Sequence, residues 1–178
     1  MRHWDRIQGL AVGQFGIITT AEASRLGVPP TEMYRWFKRG RLQKVGYGVY
    51  RLASFPSLGA ISDMAAILAE VGEGSYLYGE SVLSIMRLCP TRPYMAFVAS
   101  PARIRKKVPH GVIVVKGKKG YAPFYHDGLP CQRPDDAIRS CKHKVDNQRL
   151  MEAVDEAERQ GIFTVSEADG LRREVANA

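Results

Sequence analysis

The chain has 178 residues, 45% of them hydrophobic, and a formal net charge of +8. That is enough apolar material for a buried core, in one ordinary domain or a small one plus a medium one; no apolar run approaches the ~18 residues of a membrane span, and the start MRHWDRIQ lacks the apolar middle of a signal peptide, so the expected address is the cytoplasm. Cys89, Cys131 and Cys141 are odd in number and show no CxxC spacing, which points to small buried residues rather than a disulfide framework or a zinc ribbon.

The charge is unevenly spread. Residues 1–57 hold nine Lys and Arg against three Asp and Glu, residues 58–125 hold nine against four, and residues 126–178 hold eight against eleven. Clustered cations draw phosphates from a distance, so the front two thirds suit a polyanionic partner, with a solvated surface as the plain alternative.

In chain order, HWDRIQGLAVG places Trp4, Ile7 and Ala11 at helical spacing, with Gly13 and Gly16 bracketing its end. In TTAEASRLG, Thr19 and Glu22 have the spacing of a capping box, and Gly27 suits a left-handed end to a short second helix. Pro29 and Pro30 restrict the chain before Thr31, and a third helix runs to about Arg39 with Gly40 as its cap. Two short helices joined by a tight turn around Gly27 and Val28 read as a helix-turn-helix.

Within the third helix, Met33, Trp36 and Phe37 fall at i, i+3 and i+4 and face the core, which leaves Tyr34, Arg35, Lys38 and Arg41 along the opposite side. A recognition helix presents side chains in this way to the major groove, whose width admits one helix. LQKVGYGVYRL then alternates weakly around Gly-Tyr-Gly and reads as a hairpin with its turn near Tyr47, a basic wing flanked by Lys44 and Arg51. The expected DNA contacts are Thr31, Tyr34, Arg35 and Lys38 on the helix, Arg39 and Arg41 as phosphate clamps, and Lys44, Tyr47 and Arg51 on the wing.

GIITTAEASRLGV, a helix ending in RGRL, and then GYGVYRL together resemble the N-terminal winged helix-turn-helix of AbiEi-type antitoxins of bacterial type IV toxin-antitoxin systems. The resemblance is sharpest over residues 5–56 and continues more loosely through LYGESVLSIMRL, YMAFVAS and DGLPCQRPDDAIRS. It implies repression of the protein's own operon by binding inverted repeats in double-stranded promoter DNA. It also implies neutralisation of a nucleotidyltransferase-like toxin through the C-terminal domain, without a stable complex in the usual description. The recognition helix, the RGRL turn and the GVY of the wing are the parts that transfer residue by residue; no catalytic motif does.

After the turn-rich ASFPSLG, ISDMAAILAEVG has Ile61, Met64, Ile67, Leu68 and Val71 at helical spacing, and ESVLSIMRL gives a short helix with Val82, Ile85 and Met86 inward. YMAFVAS, GVIVVKG and YAPFY read as strands of a small sheet. Pro134 opens a helix with Asp135 and Asp136 in its first turn, NQRLMEAVDEAERQG is periodic through Leu150, Val154 and Ala157, and Ser166 and Asp169 have capping-box-like spacing in a last helix. The expected fold is α+β: a winged helix-turn-helix over residues 1–57, then a mixed α+β domain with a small sheet and several helices over residues 58–178. Two basic loops in the second domain, with Arg103, Arg105, Lys106 and Lys107 in one and Lys116, Lys118 and Lys119 in the other, extend the phosphate track if they share one edge of the sheet, and are otherwise solvated loop tips.

Enzyme signals are weak. Gly79-Glu80-Ser81 lacks the second glycine of a nucleophile elbow, and capping by a Ser near a helix start explains it more cheaply. Pro134-Asp135 has no later Asp-x-Lys or Glu-x-Lys to complete a nuclease site, VKGKKG is not a phosphate loop, and His126-Asp127 and Cys141-Lys142-His143 read as loop residues rather than ligands. No catalytic residue, metal or cofactor is expected. The reading is a sequence-specific repressor acting as an antitoxin; the alternatives are a stand-alone winged-helix transcription factor and a module docking on an acidic protein.

Overall fold

A computed structural model describes residues 3–90, 94–105 and 107–177. It divides into two compact units, Met1–Ser75 with Ile104–Pro109, and Tyr76–Arg103 with His110–Ala178. The architecture is α+β, with a winged helix-turn-helix at the N-terminus.

The first unit contains α1 (His3–Val12), β1 (Ile17–Thr19), α2 (Thr20–Arg25), α3 (Pro30–Lys38), β2 (Leu42–Gly46), β3 (Val49–Leu52) and α4 (Ala60–Val71). Its sheet has the order β1-β3-β2, antiparallel throughout. Strand periodicity sends Tyr50 and Leu52 of β3 to one face and Val49 and Arg51 to the other. On the first face Leu52 joins Ile7, Ala11, Ile18, Ala23, Val28, Met33, Trp36 and Leu42 in a core built by α1, α2 and α3. Each large aliphatic side chain fully buried there contributes roughly 1.5–3 kcal/mol.

The second face explains where the unit ends. Ile17 pairs with Arg51 and so shares its face, leaving Ile17 and Val49 apolar on a side the first three helices do not reach. Helix α4 packs across β1, β2 and β3 and covers it, with Ala66 and Ile67 lining a cleft with Ile17 and Val45. The compact unit therefore runs on past the expected boundary at residue 57 to Ser75. Along α4, Leu68 and Val71 are buried, whereas Ile61, Met64 and Ile67 are half-buried.

The second unit contains β4 (Tyr76–Leu77), α5 (Glu80–Ile85), β5 (Ala96–Ser100), β6 (Val112–Lys116), β7 (Phe124–His126), β8 (Leu129–Cys131), α6 (Pro134–Cys141), α7 (Asn147–Arg159) and α8 (Val165–Ala176). Its five-stranded sheet has the order β6-β5-β4-β8-β7. β5 and β6 run parallel, as do β4 and β8, while β4–β5 and β7–β8 are antiparallel. The strands expected from YMAFVAS, GVIVVKG and YAPFY are present as β5, β6 and β7.

Helices α7 and α8 form an antiparallel pair, with Leu150, Ala153, Val154 and Ala157 of one and Ala168, Leu171 and Val175 of the other buried. The cap of α8 is not Ser166 with Asp169. Thr164 and Glu167, two residues upstream, form the capping box: the Glu167 N–H donates to Thr164 Oγ1 and the Thr164 N–H donates to Glu167 Oε2 at 2.8 Å. Arg172 ties the pair together through Asp155 of α7 at 2.7 Å and Glu158 of α7, and also meets Asp169 of its own helix at 2.8 Å. Arg139 of α6 joins Asp135 at 2.7 Å to Glu174 of α8 at 2.9 Å.

Candidate nucleic-acid interface

The turn between α2 and α3 is built from local chemistry. Thr19 caps α2 by accepting from the Glu22 N–H, and Glu22 returns the bond to the Thr19 N–H at 2.8 Å. At the other end Gly27 has φ 75°, its N–H bonds to Ser24 O, and the Val28 N–H bonds to Ala23 O. This doubly bonded left-handed end suits a residue without a Cβ, and it reverses the chain within three residues. Val28, 2% exposed, then anchors the turn in the core. Pro30 at the first position of α3 costs no hydrogen bond, because that N–H is unpaired in any helix.

The rotation of α3 follows from its buried side. Met33 and Trp36 are buried and Phe37 is half-buried, the Trp36 ring meeting Trp4 of α1 edge-on at 5.1 Å and Phe37 meeting Tyr50 at 6.1 Å. Thr31, Tyr34, Arg35, Lys38, Arg39 and Arg41 are accordingly all exposed. The face is ordered by short-range contacts. Lys38 Nζ stands 5.4 Å over the Tyr34 ring, Arg35 lies 3.7 Å from Glu32, and Glu32 also bonds His3 at 3.2 Å. Arg41 follows a second doubly bonded helix end, in which its own N–H reaches Trp36 O.

The wing is the β2–β3 hairpin. Tyr47, 78% exposed, stands at its tip, and Lys44 is exposed opposite Tyr50 on the α3 side of the sheet. Arg51 lies elsewhere. It is half-buried on the α4 face, with Nη2 donating to Gln43 Oε1 at 3.0 Å and Nε buried in the cleft shared with Asp63 and Glu70. The tip is held from two sides: the Thr20 N–H donates to Gly48 O at 2.9 Å, and the Tyr47 N–H donates to Glu70 Oε1 of α4 at 2.9 Å. Glu70 had no local signal as a wing residue, because only the folded sheet brings α4 over the hairpin.

In the second unit Ser100 pairs with Lys116 in parallel register, so the chain leaves β5 towards Arg103 and leaves β6 towards Lys118 and Lys119 from the same end of the sheet. Arg103, Lys116, Lys118 and Lys119 are exposed there. Arg105 and Lys107 are exposed in the 104–109 segment that clusters with the first unit, and Lys106 lies outside the described residues. Ser81 does not cap its helix; its hydroxyl accepts from the Phe97 N–H at 2.7 Å and ties α5 to β5. The three cysteines are buried, and burial pushes the Cys131 and Cys141 thiols up to about 12. His126 stands 3.6 Å from Asp127. Among the described residues no group of three or more His, Cys, Asp or Glu is placed to hold a metal ion, and no helix is long and apolar enough to cross a membrane.

Residues 5–53 match the model of a family described as transcriptional regulator, AbiEi antitoxin. No curated protein matches the chain. Among solved structures it is similar to the crystal structure of the RV2827C protein from Mycobacterium tuberculosis, at 15% identity over 97% of this chain and 82% of that one, with a TM-score of 0.48. The capped turn, the exposed face of α3 and the hairpin all fall inside the matched residues. In its N-terminal winged helix-turn-helix the chain therefore matches the AbiEi antitoxin family of transcriptional regulators.

Proposed function

We propose that the protein is a sequence-specific DNA-binding repressor that acts as the antitoxin of its operon. The observation that carries the reading is the outer face of α3, where Tyr34, Arg35 and Lys38 are all exposed, with Thr31 at its start and Arg39 and Arg41 at its end. Helix α3 enters the major groove, where Arg and Lys read guanine edges, and Lys44 and Tyr47 of the wing meet the sugar-phosphate backbone. Arg51 supports the sheet instead, its guanidinium being half-buried under α4. Arg103, Lys116, Lys118 and Lys119 add phosphate contacts from the second unit.

The test is binding to a duplex of the protein's own promoter across a salt series. Contact with roughly five to seven phosphates gives a log–log slope of about −5 to −6 per protomer, and a footprint on inverted repeats locates the operator. A flat salt response would sink the reading and favour an acidic protein partner. Neutralisation of a nucleotidyltransferase-like toxin is assigned to the second unit and is tested by coexpression with the gene next to it. Because the family match stops at residue 53, a stand-alone transcription factor is the second reading, and the absence of a neighbouring toxin gene would favour it.

A further inference from the structure

The wing tip is ordinarily the freest part of a winged helix, a two-residue turn projecting beyond its sheet. Here a carboxylate from α4 sits on it. Glu70 Oε1 accepts from the Tyr47 N–H at 2.9 Å, and a methyl group added at Gly46 would run into the same carboxylate. The glycine at 46 is thus matched to the close approach of a helix side chain, as well as to the irregular pairing between Lys44 and Gly46. On the opposite side the Thr20 N–H at the start of α2 holds Gly48 O. The backbone of the tip is pinned from both flanks while the Tyr47 side chain stands in solvent.

A bare carboxylate beside a surface meant for phosphates opposes binding by charge repulsion, so its presence asks for a compensating role. Its neighbours supply half of the answer: Arg51 lines the same cleft of ≈ 190 Å³ together with Asp63, so a cation stands among the two carboxylates. The other half is geometric. The tip amide is already engaged, so a phosphate meets the wing through side chains projected from a fixed backbone.

We infer that Glu70 is a positioning residue for the wing: its hydrogen bond to the Tyr47 amide fixes the tip in the conformation that contacts duplex DNA. The inference rests on the DNA-binding reading above. Holding the tip before contact removes an ordering cost from binding, and a neutral acceptor at the same place does so without the repulsion.

The test uses the full chain with Glu70→Ala and Glu70→Gln. Amide exchange at Tyr47 should be slow in the unmodified protein and in Glu70→Gln, and fast in Glu70→Ala, with melting of all three within a few degrees. Operator affinity should fall about three- to tenfold in Glu70→Ala and be restored or exceeded in Glu70→Gln, at an unchanged salt slope. Equal Tyr47 exchange in all three proteins, or Glu70→Ala binding operator as tightly as the unmodified protein, overturns the inference while leaving the DNA reading intact. Failure of the unmodified protein to bind duplex DNA overturns the DNA reading, and the positioning role with it.

Discussion

The Arg41 guanidinium lies over the ring of Trp4, 3.7 Å from its centroid, so a residue three positions beyond the end of α3 is stacked on α1. Trp4 in turn meets Trp36 edge-on, and the three side chains connect the exposed end of the proposed reading helix to the core. Arg41 is therefore held in a fixed direction, unlike a cation on a free stem. Arg41→Lys should keep the charge and the salt slope but lose the planar stack, lowering stability by about 0.5–1 kcal/mol. Urea denaturation midpoints check this, and an unchanged midpoint would show that the stack carries no energy.

Neighbouring residues on α3 should fail for opposite reasons. Arg35 is exposed and only loosely paired with Glu32, so Arg35→Ala should shift stability by less than about 0.5 kcal/mol yet cost about 1–3 kcal/mol of operator binding if it reads a guanine edge. Trp36 is 7% exposed, and Trp36→Ala should cost about 3–5 kcal/mol of folding stability. Melting curves and affinities for operator and scrambled duplex separate the two effects. A stable Trp36→Ala protein would mean that the buried side of α3 is not what holds it.

Removing α4 should expose the second face of the first sheet. A fragment ending at residue 57 leaves Ile17 and Val49 uncovered, whereas one ending at residue 75 keeps the helix that packs on them. The shorter fragment is expected to be unfolded by far-ultraviolet circular dichroism and the longer one to show a cooperative melt. Cooperative melting of the shorter fragment at the same temperature would remove α4 from the stability of the unit.

The Arg139 staple should make the second unit acid-sensitive. The hydrogen bond from Arg139 holds the Glu174 carboxyl below the usual glutamate range. For Asp135, burial is the largest influence and pushes upward, but it is outweighed by the bond and charge of Arg139 together with Arg133, leaving that carboxyl lowered as well. A lowered folded-state pKa contributes stability that is complete above the ordinary carboxylate range and is lost as pH falls through the lowered value. Both partners are about two-fifths exposed, so Glu174→Gln should cost only about 0.2–1 kcal/mol at pH 7. The difference from the unmodified protein should shrink as pH falls below the ordinary carboxylate range and through the lowered value, as melting against pH would show.

What the sequence made legible was what neighbours along the chain decide. The Thr19–Glu22 cap, the left-handed turn at Gly27, the buried Met33 and Trp36, and Leu150, Val154 and Ala157 of α7 all follow from contacts within a few residues. The three-residue β1 and β8 and the two-residue β4 are too short to show a period, and they exist because the sheets pair them. Helix α4 announced itself as amphipathic, but periodicity cannot say which sheet a helix will cover. Arg51 shows the same limit at one residue: a basic side chain beside a hairpin reads as surface, and only the pairing of β1 with β3 turns it under α4.

The short strand β4 has a consequence for synthesis. It takes β5 on one side and β8 on the other, Leu77 standing opposite Cys131, so the middle of the second sheet cannot close until β8 exists. Every helix and strand of the first unit is complete by Val71. A chain leaving the ribosome from its N-terminus is expected to finish the winged helix while the second unit still waits for its central partner. Its long-range parallel pairing makes that closure the slower event even once all the residues have emerged.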